Sequence, residues 1–152
     1  MSAIDDPQTR FEVTIPSDTG AGQALQERII RHLEELQYGD HDLFGIRLAI
    51  EEAMVNAIKH GNRLDPTKQV RVVWEVNSIR VRVEIEDQGT GFIPADVPDP
   101  TADENLERPC GRGIHLMRAF MNLIEYNESG NRVVLEKHRT ILTEDSADAE
   151  ST

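Results

Sequence analysis

A single cysteine, Cys110, stands in 152 residues; it excludes an internal disulfide, and no group of Cys and His has the spacing of a zinc site. Basic residues are also short: 16 Lys and Arg face 28 Asp and Glu, a formal net charge of -12. Such a bulk field repels DNA, RNA and anionic membrane, so any phosphate held by this protein must be held locally, by positioned groups. No apolar run approaches the roughly 18 residues of a bilayer span, and the N-terminus lacks the basic and apolar regions of a signal peptide. These absences together place the expected protein in the cytoplasm, with no membrane and no direct nucleic-acid partner. The length suits one domain with a real core, and hence a site within a domain and not between two.

What is present is organised around Leu48 to Asn62, which reads L-A-I-E-E-A-M-V-N-A-I-K-H-G-N. Leu48, Ala49, Ala53 and Ala57 recur at helical spacing, no proline interrupts them, and Gly61 falls where a C-terminal cap is expected. On a helix of 3.6 residues per turn, Glu52 and Asn56 share one side, and His60 continues their line. Ala49, Ala53 and Ala57 run beside that line and leave room for close approach to the backbone. A polar stripe of this kind is either a solvated face or a set of ligands.

The pattern along the chain predicts elements on either side. Residues 1–8 are a flexible N-terminus. From Arg10, alternation of Phe11, Val13 and Ile15 with polar residues marks a strand ended by Pro16, and Ser17 or Asp18 caps a helix from about Gly20 to Gln37. After the organising helix, Val70 to Val76 and Ile79 to Ile85 alternate around the Asn77-Ser78 turn as a hairpin. Asp87 falls on the apolar face of that second strand, where a carboxylate needs a partner or a proton. From Gln88 to Arg112 the composition turns to Gly, Pro and acidic residues, as in a lid or binding loop. A helical pattern resumes through Ile114, Met117 and Met121. Strands then follow near Leu123 to Asn127 and Arg132 to His138, joined by Ser129-Gly130-Asn131. Residues 143–152 form a disordered acidic tail, leaving 9–142 as the folded domain. Helices grouped against a mixed, largely antiparallel sheet make an α+β two-layer sandwich.

Two further constellations carry chemistry. In D-Q-G-T-G, Gly89 and Gly91 allow a flat ligand near the backbone, and Asp87 can accept from an exocyclic amine such as that of adenine; an ordinary Asx turn is the plain alternative. In G-R-G-I, the backbone N–H groups of Gly111, Arg112, Gly113 and Ile114 open a helix N-terminus suited to phosphate, with Arg108 and Arg112 adding charge; the plain alternative is a glycine-rich helix entry. Taken together they describe an ATP pocket in which the Asn56 carbonyl ligates Mg²⁺ and Glu52 serves as general base.

These residues resemble the GHKL ATPases of the Bergerat fold, and among them the anti-sigma-factor serine/threonine kinases of the RsbW and SpoIIAB type. E-E-A-M-V-N-A-I-K-H-G-N resembles the family's N box, D-Q-G-T-G its first glycine box and G-R-G-I-H-L-M its second, over about Phe11 to His138. The resemblance implies Glu52 as catalytic base, Asn56 as Mg²⁺ ligand and Asp87 on the adenine amine. It also implies Gly89 and Gly91 around the base, Gly111 to Gly113 at the phosphates, and Lys59 and His60 near the nucleotide. Relatives commonly carry Gly-Thr in the last hairpin, the threonine assisting the aspartate; here the pair is Gly130-Asn131, a longer side chain that can also donate. The lid is richer in proline than in relatives. Implied partners are a STAS-type antagonist as substrate and a sigma factor, with a homodimer as a common family state. The other functional class open to this sequence is a nucleotide-gated binding module with little or no phosphotransfer.

Overall fold

The computed structural model describes residues 9–89 and 120–140. Most of the lid, the second glycine box, both termini and the helix expected before Phe120 lie outside the described residues. Five strands and two helices are described: β1 (Thr9–Pro16), α1 (Thr19–Glu35), α2 (Asp40–Val55), β2 (Gln69–Val76), β3 (Arg80–Glu86), β4 (Leu123–Tyr126) and β5 (Arg132–His138). The sheet runs in the order β1-β2-β3-β5-β4, and every pairing in it is antiparallel. The α+β expectation holds, with the sheet simpler than a mixed one.

Strand alternation sets the layers. Val70, Val72, Trp74 and Val76 of β2 and Val81, Val83 and Ile85 of β3 turn to one face and are buried beneath the helices. α1 lowers Leu25, Ile29, Ile30 and Leu33 onto them, and α2 lowers Ile46, Ala49, Ile50 and Ala53. Each fully buried Ile or Leu contributes on the order of 1.5–3 kcal/mol of transfer free energy. The opposite face carries an interlaced set of charges, with Arg71 reaching Glu12 at 3.0 Å and Glu84 at 3.1 Å.

α1 starts as expected: Asp18, in extended conformation, accepts from the Ala21 N–H at 2.9 Å. It ends through Gln37, which takes the left-handed φ of 63°. α2 has no side-chain cap, but Asp40 and Asp42 in its first turn complement the positive end of its dipole.

The organising helix departs from expectation. It is α-helical only to Val55, and Asn56–Gly61 is a π-helical turn. The Asn62 N–H donates to the Ala57 carbonyl, and the Leu64 N–H to that of Ile58, both at 2.8 Å. Gly61 is therefore not the cap that its position suggested. Its φ is not positive, and the chain reverses through Arg63 and Leu64 at φ 53° and 58°. The reason lies in packing: Gly61 is needed bare for a contact with β3, described below.

Candidate functional site

Asp87 follows β3 directly, so strand parity drives its side chain to the inner face, where it is 6% exposed. Its main chain is fixed by donation from its N–H to the Asn131 carbonyl at 2.8 Å. The Gly89 N–H donates to Asp87 Oδ1 at 2.8 Å. Burial raises the Asp87 carboxyl above the usual carboxylate range; the Gly89 bond opposes the shift, the Glu86 charge adds to it and Lys68 offsets it. The carboxylate rests on Gly61: a Cβ there would collide with it, and a Cβ on Gly89 would collide with the Gly61 carbonyl oxygen. Two missing side chains thus seat one acidic group against the end of the organising helix.

Across from it, Asn56 is 4% exposed, and neither its Oδ1 nor its Nδ2 has a hydrogen-bond partner among the described residues. A buried polar group left this way costs about 1–3 kcal/mol. Native proteins rarely keep one without a use. Glu52, one helical turn earlier, is half-buried, and its carboxyl is pushed up to about 7, first by burial and then by the neighbouring Glu51. A carboxylate poised near neutrality is suited to taking a proton.

Between Asn56 and Asp87 lies a narrow cleft, with Ala53, Asn56 and Ala57 on the helix side, Ile85 and Asp87 on β3, and Tyr126, Gly130, Asn131, Arg132 and Val133 on the β4–β5 hairpin. Small alanines next to Asn56 and an apolar floor beside one acid suit a flat, mostly apolar ring with a polar edge. All three alanines of the stripe are buried in the core, and Ala53 and Ala57 also line the cleft.

Of the residues singled out in the sequence, the structure brings Asn56, Asp87 and Asn131 to one cleft, with Gly89 beside it. Lys59 and His60 are exposed and do not line it. Both belong to the π-helical turn that begins at Asn56. Lys59 instead borders a groove between α1 and α2. Gly91, Arg108, Gly111, Arg112, Gly113 and Ile114 lie outside the described residues.

Three residues whose roles are not evident in the sequence prove central. Gly61 admits the Asp87 carboxylate. Asn62, 0% exposed, donates from Nδ2 to Ser17 Oγ at 2.8 Å and to the Gln69 carbonyl at 2.9 Å. Its Oδ1 accepts the Gln88 N–H at 2.7 Å. It so ties the π-helical turn, the β1–α1 junction and the loop after Asp87 into one unit. Asn127, in the β4–β5 turn, holds Asn131. The only trace of these roles in the sequence is a polar residue next to the helix end and an asparagine pair four apart.

The model of the histidine kinase-like ATPase domain matches residues 15–137. An anti-sigma F factor of Clostridium perfringens is 32% identical over 102 residues, covering 63% of this chain and 72% of that protein. Another, from Heyndrickxia coagulans, is 31% identical over 118 residues, covering 73% and 80%. The serine-protein kinase RsbW of Bacillus licheniformis is 29% identical over 112 residues, covering 68% and 69%. The matched span includes Glu52, Asn56, Asp87 and the β4–β5 hairpin.

Proposed function

The chain belongs to the histidine kinase-like ATPase family, and from that premise we propose that it is an ATP-dependent protein serine/threonine kinase acting as an anti-sigma factor in a partner switch. The names of its relatives, anti-sigma F factor and serine-protein kinase, support the pairing of the two activities. The observation that carries the reading is Asn56: a buried carboxamide with no partner among the described residues, one turn after a carboxyl of raised pKa and across a cleft from a buried aspartate.

Each group has a task. Asp87 accepts from the exocyclic amine of adenine, while Ala53, Ala57, Ile85 and Val133 give the ring an apolar bed. Asn56 Oδ1 is a hard oxygen donor and fits Mg²⁺, which completes its shell from phosphate oxygens and water. Among the described residues no three His, Cys, Asp or Glu side chains gather to hold a metal alone, and a cation shared with a triphosphate does not require them. When bound, the metal offsets charge on the transferring phosphoryl group. Glu52 takes the proton of the incoming serine or threonine hydroxyl; that oxygen forms its bond to the γ-phosphorus as the bond to ADP breaks. Gly91 and the second glycine box, Arg108 and Gly111 to Ile114, complete the site at the base and at the phosphates.

The protein substrate in this reading is a small STAS-type antagonist, and the alternative partner is a sigma factor. Location in the cytoplasm belongs to the same proposal; among the described residues no helix is long and apolar enough to cross a membrane. The test is incubation with labelled ATP, Mg²⁺ and the cognate antagonist: the unmodified protein labels the antagonist and Glu52→Ala does not. Equal labelling by both rejects Glu52 as base, and ATP binding without any transfer reassigns the protein as a nucleotide-gated binding module.

A further inference from the structure

The β4–β5 turn contains an amide relay whose sense can be deduced. Asn127 Oδ1 stands 3.1 Å from the backbone N–H of Asn131 and 3.2 Å from that of Arg132. Only an oxygen can face two donors, so the Asn127 amide has one orientation and its Nδ2 points the other way. That nitrogen lies 2.7 Å from the side chain of Asn131, which must therefore present Oδ1 to it. With its oxygen turned toward Asn127, the Asn131 amide carries its Nδ2–H donors on the side away from Asn127. Asn131 lines the cleft together with Asp87, and its carbonyl accepts the Asp87 N–H at 2.8 Å.

The cleft so receives an acceptor from β3 and a donor from the hairpin as neighbours. Adenine presents the matching edge, an amine beside a ring nitrogen with a lone pair. Guanine reverses both, with a carbonyl in place of the amine and an N–H in place of the lone pair. We propose that Asn127 is a specificity-determining positioning residue: by fixing the sense of the Asn131 amide, it makes the hairpin side of the cleft a donor and selects adenine over guanine nucleotides. This rests on the nucleotide reading given above. Asn127 acts through Asn131 and does not itself line the cleft.

Asn127→Asp isolates the effect. The carboxylate keeps both bonds from the backbone N–H groups but has no N–H to give, so Asn131 turns its own NH₂ toward it and its Oδ1 becomes the end left for the cleft. Reversing one hydrogen bond lowers the ratio of ATP to GTP affinity by about tenfold or more. Asn131→Asp is the second variant; it keeps the Asn127 bond and puts an acceptor where the donor was, and the same fall follows. In an Asn131→Thr background, Asn127→Asp leaves the ratio unmoved, because a hydroxyl rotates to donate whatever its neighbour. The measurements are ATP and GTP affinities of the full chain by calorimetry with Mg²⁺, alongside thermal midpoints. A folded Asn127→Asp or Asn131→Asp protein with the parental ratio overturns the proposal while leaving the nucleotide reading intact. Failure of the unmodified protein to bind ATP overturns both.

Discussion

At the end of the sheet where β2 turns into β3, buried polar groups are matched. Asp42, 2% exposed, accepts from the backbone N–H of Thr140 at 2.8 Å and from its hydroxyl at 2.6 Å, with Lys137 Nζ 3.9 Å away. Arg139 donates to the carbonyls of Leu36, Gln37 and Ser78 and lies over the Tyr38 ring, whose hydroxyl donates to the Asn77 carbonyl at 2.9 Å. At the opposite end Asn56 has both amide atoms buried and without partners among the described residues, and Asp87 is held at a raised pKa. The first end closes α1, α2 and the sheet into one body; the second keeps polar capacity in reserve for a ligand. Asn56 and Asn62 repeat the contrast within six positions, since the second makes three hydrogen bonds and supports the loop that the first faces across the cleft. Stability and binding are thus assigned to different groups, even where they sit on the same turn.

That division can be broken in a graded way. The largest effect belongs to Asp42→Ala, which leaves the Thr140 donors and Lys137 without their shared acceptor; it costs about 3 kcal/mol by denaturant titration, with ATP affinity at or near the parental value. A loss of affinity matching the loss of stability would erase the contrast. Asn56→Leu inverts the pattern: it removes a buried amide that nothing described satisfies, so the unliganded protein becomes more stable by about 1 kcal/mol, while Mg²⁺-dependent ATP binding is lost. A drop in stability would mean that Asn56 serves the fold.

Glu52→Gln acts through pH. The folded carboxyl holds its proton up to about 7, above the 4.5 of the free group, so the native state binds more protons between these values. Stability is then full below about 4.5 and declines as pH rises toward 7. The glutamine variant flattens this decline in thermal midpoints taken across pH 4 to 8, a range spanning about both pKa values. Phosphotransfer by the unmodified protein rises over the upper part of the same window, as the base loses its proton. The smallest effect is that of Ser17→Ala, which removes one of the two acceptors of Asn62 and costs about 0.5–1 kcal/mol; affinity for ATP changes less than twofold if Asn62 still holds the Gln88 N–H, a ratio of about 0.4 kcal/mol.

The parts legible in the sequence were those governed by local period and parity. Alternation found β1, β2 and β3, and counting residues along β3 put Asp87 on the buried face before any contact was known. Helix register after Asn56 was not legible, because A-I-K-H-G contains nothing that forbids α-helix. The π-helical turn is fixed by where Gly61 and Asn62 must meet β3 and β2, which is a tertiary demand. For the same reason Arg63 and Leu64 take left-handed φ although neither favours it. Ala49 and Ala53 look alike on a helical projection, and only the position of the hairpin makes the second a cleft residue as well as a core one. Asn127 was legible only as the end of a strand because two of its partners are backbone N–H groups, which leave no mark in side-chain spacing.

The wide turn at Asn56–Gly61 has a consequence for how this gene can change length. A π-helical turn holds one residue more than the α-helical ladder needs, so losing a codon from Ala57 to His60 would leave an intact helix behind. The chain after the deletion would arrive in nearly its original orientation, because a wide turn with one more residue and an ordinary α-helical turn each complete about one rotation. Gly61 would then still meet the Asp87 carboxylate, and Asn62 would still reach Gln88. A one-residue deletion is ordinarily tolerated worst inside a helix; here it would leave both the helix and the framework of the site whole.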